Sequence, residues 1–374
     1  MASRPNTLIT EMKTRSTGRL GRLAGLAAFA ALCACQAASG QIADIKPSDP
    51  LLHYNGRFDW QNPDAPRASF PGSALVIRFN GTGMSATLST TRFDQIQVIV
   101  DDRLDGVLKL THEPMAYAVA HDLPPGAHTV TLFKRTEAGR GTMQVFGLQL
   151  PAGGTLLPSP PAERNLEFIG DSITCGYGDE AAAKEVPVSP DNSNHYVSYA
   201  AVAARMLHAE HVAVAVSGIR LTESPGTVSM PTVYRYADQN DKGPPWDFGR
   251  GPMPDVVVIN LGTNDFRFEG PSEMEWKRAY GAFLDYIRAR RPHAHIFLTD
   301  GPMMGPDEKL AKLRRWNQQI VEERRSAGDT RIHAFDFEVQ KASDGYGSDW
   351  HPSVRTHEIM AAKLVAEIKA SLGW

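Results

Sequence analysis

The stretch Leu166–Gly178 reads LEFIGDSITCGYG, a short apolar run that ends at a glycine and continues into an Asp-Ser pair. Four later runs have a similar form, namely VAVAVSG, DVVVINLG, HIFLTDG and RIHAFDF, at residues 212–218, 255–262, 295–301 and 331–337. Helical patterns lie between and after these runs, at residues 198–211, 272–290, 306–326 and 355–372. Strands that alternate with helices predict an α/β domain over residues 164–374, with a five-stranded parallel sheet between two helical layers.

A different pattern precedes this domain, made of short alternating runs that turn residues separate. Examples are ALVIRF at Ala74–Phe79 and QIQVIV at Gln95–Val100. Because this alternation is typical of half-buried strands, residues 46–152 are predicted to form a β-sandwich. Residues 153–163 read GGTLLPSPPAE, and their glycines and prolines indicate a linker between the two domains.

The first forty residues have the composition of a targeting segment. Arg15, Arg19 and Arg22 precede LAGLAAFAALCA at Leu23–Ala34, an apolar run of the length found in secretory signal peptides. The sequence before Cys35 is similar to a bacterial lipoprotein box with Cys35 as the acylated residue, while small residues up to Gly40 also permit ordinary cleavage. We therefore expect residues 1–40 to be a signal peptide. The exported protein would be periplasmic, extracellular or an outer-membrane lipoprotein.

The composition argues against several classes of function. The chain has 374 residues and a formal net charge of −3, which gives no electrostatic basis for a nucleic-acid partner. It contains no apolar stretch long enough to predict a transmembrane helix. Cleavage at or just after Cys35 would leave Cys175 as the remaining cysteine, so no intramolecular disulfide is expected. We expect a monomer.

Chemically useful residues follow four of the five predicted strands. In chain order they are Ser172, Gly218, Asn264 and His351. His351 lies two residues after Asp349. Ligands of open parallel sheets bind at the carboxyl ends of the strands, so these residues are expected to lie close together. A serine, two candidate oxyanion donors, and a histidine with a nearby carboxylate are the components of an acyl-transfer site.

These segments resemble a known superfamily. GDSIT at residues 170–174, the glycine after the second strand, GTND at residues 262–265 and DWHP at residues 349–352 are similar to the four sequence blocks of SGNH (GDSL) hydrolases. GDSITCGYG, DWHPS and the preceding sandwich resemble, more narrowly, carbohydrate esterase family 2. That resemblance implies a jelly-roll domain before a flavodoxin-like hydrolase domain. It also implies removal of acetyl groups from plant polysaccharides such as xylan and glucomannan, with no cofactor.

The resemblance assigns a role to each residue of the site. Ser172 is expected to be the nucleophile and His351 the base that takes its proton. The N–H groups of Ser172 and Gly218 and the side-chain amide of Asn264 are expected to form the oxyanion hole. Standing alone, Ser172 would have been interpreted as a helix cap.

The group that orients His351 is open at this point. Many SGNH hydrolases have an aspartate three residues before the histidine, where this chain has Ser348. Asp349, two residues before the histidine, is expected to hydrogen-bond the imidazole because residues two apart share a face in an extended segment. The alternative is a main-chain carbonyl that orients the ring.

Three aromatic residues, Trp246, Trp350 and Tyr177, are candidates for stacking on sugar rings, and a packing role is the alternative for each. His293 and His295 flank one alanine, but two histidines without further ligands are weak support for a metal site. No metal is expected in the site.

The sequence thus predicts a secreted polysaccharide deacetylase that acts on acetylated polysaccharides or oligosaccharides. The alternatives are an SGNH esterase for other acyl esters, and a carbohydrate-binding protein with an inactive hydrolase domain. A lipidated Cys35 would add a membrane as a partner.

Overall fold

The computed structural model describes residues 42–239 and 243–374. The predicted signal peptide at residues 1–40, including Cys35, lies outside the described residues. Within them, no helix is long and apolar enough to cross a membrane.

The amino-terminal domain is built from antiparallel strands in two sheets. Its strands are β1 Ala43–Ile45, β2 His53–Asn55, β3 Arg67–Ala68, β4 Ala74–Gly81, β5 Met84–Thr90, β6 Gln95–Val100, β7 Arg103–Lys109, β8 Met115–Ala120, β9 Gly126–Lys134, β10 Met143–Leu150 and β11 Thr155–Leu157. One sheet has the order β1-β10-β5-β8 with β3 paired to β10, and the other has the order β11-β4-β9-β6-β7 with β2 paired to β4. The predicted β-rich domain is confirmed.

Alternation along the strands produces the core of this sandwich. In β4, Leu75, Ile77 and Phe79 are fully buried, whereas the residues between them are partly exposed. Each such side chain removed from water stabilises the fold by about 1.5–3 kcal/mol.

The structure corrects the predicted linker at residues 153–163. Thr155–Leu157 forms β11, which pairs antiparallel with β4 through Leu156 and Phe79. Leu156 also packs against the sandwich core. Since a strand at the sheet edge buries its apolar side chain on the core, the sandwich extends into the segment predicted to be a linker.

The carboxyl-terminal domain contains the predicted five-stranded parallel sheet. Its strands are β12 Asn165–Gly170, β13 Glu210–Ala215, β14 Val256–Asn260, β15 His295–Thr299 and β16 Ile332–Phe335, in the spatial order β13-β12-β14-β15-β16. Its helices are α1 Ser172–Cys175, α2 Tyr199–Met206, α3 Met230–Val233, α4 Glu273–Arg290, α5 Glu308–Ser326 and α6 Val354–Leu372. The first long predicted helix is shorter than expected, because His208 adopts a φ of 51° and β13 begins two residues later.

Neighbouring residues of the central strand face opposite sides of the sheet. Phe168 packs on the side of α2 and α6, and Ile169 packs on the side of α4 and α5. Both are fully buried, as expected for a strand covered by helices on both faces. Because all five strands are parallel, their carboxyl ends lie along one edge.

A buried charge cluster joins the two domains. Arg57 of the sandwich and Arg291, which follows α4, both bind the carboxylate of Glu167 in β12, with N–O distances of 3.1 and 2.9 Å. None of the three side chains is more than 6 % exposed. The sandwich also contributes Phe70 and Ala138 to the hydrophobic core of the hydrolase domain. The two domains therefore belong to one compact structural unit.

Candidate active site

Ser172 lies at the turn between β12 and α1. Asp171 caps this helix, since its carboxylate accepts a hydrogen bond of 3.0 Å from the N–H of Ile173. A Cβ at Gly170 would lie 2.0 Å from the hydroxyl oxygen of Thr174, so only glycine fits before the turn. Ser172 is thereby fixed at the carboxyl end of the central strand, as the sequence predicts.

His351 contacts the serine directly. Its Nε2 lies 2.9 Å from the Oγ of Ser172, and its Nδ1 lies 2.9 Å from the carbonyl oxygen of Ser348. A carbonyl can only accept, so the network places a proton on Nδ1 and leaves Nε2 free to accept the serine proton. Burial lowers the pKa of His351, which favours the neutral form that a general base requires.

The structure corrects the expected orienting role of Asp349. The main-chain carbonyl of Ser348 occupies the position at Nδ1, and the Asp349 carboxylate instead accepts a hydrogen bond of 3.1 Å from the hydroxyl of Tyr177. The physical reason is the backbone: Asp349 and Trp350 have φ values of 51° and 64°, so the chain reverses where an extended segment was assumed. The side chain of Asp349 acts on the imidazole through its charge, which opposes the effect of burial on the pKa of His351.

The loop that carries the histidine is held by the segment after α1. The N–H of Ser348 donates to the carbonyl of Gly178 at 2.9 Å, and the N–H of Asp349 donates to that of Lys184 at the same distance. A Cβ at Gly178 would lie 2.4 Å from the Cβ of Ser348, and Gly178 has a φ of 59°. Gly178 therefore supports the base. Its place in the GYG triplet was the available sequence signal, but the prediction missed this role.

Ser172 and Gly218, whose backbone N–H groups are the predicted oxyanion donors, line the same cavity. Gly218 has a φ of 80° within a turn that the N–H of Ile219 closes on the carbonyl of Val216. Among the described residues, neither the N–H of Ser172 nor that of Gly218 donates to a protein acceptor. Both are free of protein acceptors, and their role in an oxyanion hole stays a prediction.

Asn264 also lies at this edge, but its amide already has protein partners. Its Nδ2 donates to the carbonyl of Ile219 at 3.0 Å and to the carboxyl of Asp171 at 3.2 Å. To act as a third oxyanion donor, the amide must exchange one of these bonds. Burial raises the pKa of Asp171 to about 7, so a fraction of the protein molecules carries a neutral Asp171 near pH 7. A neutral carboxyl group accepts a weaker hydrogen bond from the Asn264 amide than a carboxylate does.

These residues line an open cavity of 870 Å³. Tyr177 lies in its wall with its ring 4.3 Å from the imidazole of His351. Trp350 also lines the cavity, is 54 % exposed, and faces the ammonium group of Lys184 at 4.1 Å. Both aromatic residues thus line the cavity that contains Ser172, and their stacking on a sugar ring stays a prediction.

Trp246 is not placed with the other aromatic residues. Its ring lies 5.4 Å from the guanidinium of Arg57, and its main-chain N–H donates to the carbonyl of Arg235. The expected stacking of Trp246 on substrate is wrong for this geometry, because the ring packs at the domain interface.

Among the described residues, neither His293 nor His295 belongs to a set of metal ligands. Nδ1 of His295 contacts Nε2 of His333 at 2.9 Å. In the part of the chain that the structure describes, no group of three or more His, Cys, Asp or Glu residues is arranged to hold a metal ion. Independence from metal stays a prediction.

Comparison with known proteins identifies both domains. The family model "Carbohydrate esterase 2 N-terminal" matches residues 54–160, and the model "GDSL-like Lipase/Acylhydrolase family" matches residues 168–359. The chain is 39 % identical over 329 residues to the cellulase/esterase CelE of Acetivibrio thermocellus, covering 87 % of this chain but only 40 % of CelE. It is 26 % identical over 347 residues to an acetylxylan esterase/glucomannan deacetylase of Cellvibrio japonicus, covering 91 % of this chain and 94 % of that one.

Solved structures agree with these matches. A family two carbohydrate esterase from Clostridium thermocellum, in complex with cellohexaose, has a TM-score of 0.82 and 39 % identity, over 86 % of this chain and 99 % of that chain. A family two carbohydrate esterase from Cellvibrio japonicus has a TM-score of 0.82 and 25 % identity, over 90 % of this chain and 99 % of that chain. The chain therefore belongs to the GDSL-like lipase/acylhydrolase family and, within it, to carbohydrate esterase family 2.

Proposed function

We propose that this chain is an exported carbohydrate esterase that removes O-acetyl groups from plant polysaccharides through an acetyl-enzyme on Ser172. The observation that carries the proposal is the 2.9 Å contact between Oγ of Ser172 and Nε2 of His351, at the floor of an open cavity. An inactive, carbohydrate-binding domain would not need this pair, so the geometry favours an enzyme.

The first half of the reaction forms the acetyl-enzyme. Nε2 of His351 takes the proton from Ser172 as Oγ attacks the acetyl carbonyl carbon. The carbonyl oxygen gains negative charge, which the N–H groups of Ser172 and Gly218 stabilise. When the tetrahedral intermediate collapses, the imidazolium returns the proton to the sugar oxygen, and the deacetylated sugar leaves.

The second half regenerates the enzyme. His351 removes a proton from a water molecule, which attacks the acetyl carbonyl of Ser172, and the same N–H groups stabilise the second oxyanion. Acetate leaves as the proton returns to the serine. The Ser348 carbonyl keeps Nδ1 protonated throughout, so Nε2 is the nitrogen that exchanges protons.

The choice of an acetylated polysaccharide rests on the relatives and on the shape of the site. The Cellvibrio japonicus relatives are acetylxylan esterases/glucomannan deacetylases, and the Clostridium thermocellum structure contains cellohexaose. The cavity is open to solvent and carries Trp350 on its wall, which suits a chain of sugar rings that passes across the serine.

A substrate panel tests the proposal. Purified mature protein is incubated with acetylated xylan, acetylated glucomannan and a long-chain aryl ester, and acetate or phenol release is measured. Release of acetate from one or both polysaccharides, with little cleavage of the long-chain ester, is expected. Preference for the long-chain ester would support the alternative acyl esterase. No hydrolysis of any ester, with retained polysaccharide binding, would support an inactive binding protein.

Export is proposed from the sequence of residues 1–40. The full chain is expressed in a bacterial host, the cells are fractionated, and the mass of the mature amino terminus is measured. A Cys35→Ser variant that leaves the membrane fraction, next to a Cys33→Ser control that stays there, would identify lipidation. An uncleaved protein in the cytoplasmic fraction would overturn export. Light scattering of the mature protein tests the expected monomer.

A further inference from the structure

The turn that presents Gly218 is contacted from the other domain. Ser217, directly before Gly218, donates a hydrogen bond from its hydroxyl to the carboxylate of Glu137. Glu137 belongs to the sandwich, is 6 % exposed, and accepts a second hydrogen bond of 3.2 Å from Nε of Arg140. A carboxylate of the sandwich therefore lies directly behind the predicted oxyanion hole.

The segment that carries Glu137 is held firmly within the sandwich. Lys134 is fully buried and forms an ion pair of 2.7 Å with the buried Asp94. Its ammonium group also donates to the carbonyl oxygens of Thr136 and Glu137, at 2.9 and 3.3 Å. The hydroxyl of Thr136 donates to Asp94 at 2.8 Å. A buried cation thus fixes the backbone from which the Glu137 side chain extends.

The same segment is attached to the hydrolase domain on both sides of Glu137. The carbonyl of Arg135 accepts a hydrogen bond of 2.8 Å from the N–H of His195. The carbonyl of Ala138 accepts one of 2.9 Å from the side-chain amide of Gln239. With anchors before and after it, Glu137 has little freedom to move relative to the turn at Gly218.

We propose that Glu137 is a positioning residue for the esterase reaction: by holding Ser217, it orients the peptide whose N–H group Gly218 offers to the oxyanion. That peptide joins the carbonyl carbon of Ser217 to the nitrogen of Gly218, so fixing Ser217 fixes the direction of the N–H. Gly218 itself has no side chain to hold it, and a Cβ there would meet no atom within 4 Å. The inference rests on the proposed acyl-enzyme mechanism and assigns the sandwich a direct role in it.

The negative charge of Glu137 by itself opposes the reaction. A carboxylate near a developing oxyanion repels it, and the contacts with Arg140 and Lys134 offset that repulsion. Glutamine retains an oxygen that can accept from Ser217 but has no charge. Glu137→Gln is therefore the conservative variant, and Glu137→Ala removes the contact.

The test measures kcat and KM with a small aryl acetate, which needs no assumption about the polysaccharide. Glu137→Ala and Ser217→Ala are expected to lower kcat by up to about 10²-fold, the loss typical of a displaced catalytic group or a weakened oxyanion donor. KM should change little in these variants. The kcat of Glu137→Gln should stay close to that of the wild type. The double variant should be no slower than the worse single variant, since both remove one interaction.

His53→Ala is the matched control. Nε2 of His53 in the sandwich contacts the carboxylate of Glu210 at 2.8 Å, at the other end of the strand that precedes Ser217. This variant also removes a contact between the domains, so it is expected to lower Tm while leaving kcat unchanged. The comparison separates positioning of the oxyanion hole from general stability.

Several results would overturn the inference. They are a kcat of Glu137→Ala or Ser217→Ala within about twofold of the wild type, an equal loss of kcat in His53→Ala, or fully additive losses in the double variant. If Glu137→Ala does not fold, Ser217→Ala still decides it, because that variant removes the same hydrogen bond and leaves the Glu137 carboxylate and its contact with Arg140 in place. Activity that survives Ser172→Ala would refute the proposed function instead, so the two failures are distinguishable.

Discussion

Replacing Asp349 by asparagine separates the two ways in which His351 can be oriented. Asp349 has a φ of 51°, a conformation that asparagine tolerates better than most residues. Asparagine also keeps a side-chain oxygen that can accept the hydrogen bond of 3.1 Å from Tyr177. The substitution therefore removes the charge at this position and leaves the shape of the loop intact.

The expected loss is small because the carbonyl of Ser348 holds the imidazole. In a triad where the aspartate fixes the tautomer, replacing it by asparagine lowers kcat by about 10⁴-fold. Here a main-chain oxygen lies 2.9 Å from Nδ1 of His351, so the tautomer does not depend on residue 349. What is lost is an interaction between an exposed carboxylate and the imidazolium, of about 0.2–1 kcal/mol. That energy corresponds to a decrease of roughly 1.4- to 5-fold in rate.

The assay is the pH dependence of kcat/KM with an aryl acetate, for wild type, Asp349→Asn and Ser172→Ala. The Asp349 carboxylate favours the protonated imidazole, so its removal lowers the pKa of His351 and moves the acidic limb of the profile to lower pH. A loss of about 10³-fold or more at high pH, approaching the value for a triad, would refute the reasoning. It would show that Asp349 orients His351 in the working enzyme.

The remaining predictions concern the nucleophile, the base, metal ions and the sandwich. Ser172→Ala should lower kcat by about 10⁶-fold with Tm unchanged; substantial residual activity, once contaminating esterase is excluded, would argue against a serine nucleophile. Activity should fall as pH drops through the pKa of His351, with a midpoint below the usual 6.5 because burial lowers that pKa; a flat profile to about pH 4 would contradict a histidine base. Treatment with EDTA should leave the initial rate unchanged. A loss of activity that added metal restores would make His293, His295 and other histidines candidate metal ligands again. Residues 158–374 expressed alone should be insoluble or aggregate, since Glu167 and Arg291 would lose Arg57 and its domain; a soluble, fully active fragment would show that the sandwich is dispensable.

The sequence was sufficient where the argument depended on strand ends. Parallel strands bring residues far apart in the chain to one edge, and this rule places Ser172, Gly218 and Asn264 together. His351 lies in a long loop after β16, so its contact with Ser172, which spans 179 positions in the chain, was predicted from the family resemblance as well as from the strand order. The β-sandwich followed equally well from alternation, apart from the strands at Ala43–Ile45 and Thr155–Leu157, which lie outside the predicted bounds.

The errors arose where a side chain depends on local backbone reversal or on the other domain. Asp349 was assigned by assuming an extended segment, whereas two successive residues with positive φ turn its carboxylate towards Tyr177. Trp246 was assigned by its loop, but its ring packs on Arg57, which lies 189 positions earlier in the sequence. No local pattern marks Glu137 as a neighbour of Ser217, because that contact exists only after the two domains have packed together.

The charge cluster between the domains also limits which sandwich and hydrolase domains can be combined in one chain, by evolution or by design. A sandwich exchanged for that of another esterase would bring its own residue to the position of Arg57, opposite a carboxylate that is 2 % exposed. If that residue were neutral, Glu167 would retain Arg291 and the hydroxyl of Tyr234 but would lose one of its two cations. Removing one partner of a buried ion pair costs up to about 3–5 kcal/mol. Functional chimaeras are therefore expected mainly from pairs of esterases that both have an arginine at the position of Arg57 and a glutamate at the position of Glu167. Domain-shuffling experiments should keep these two residues together.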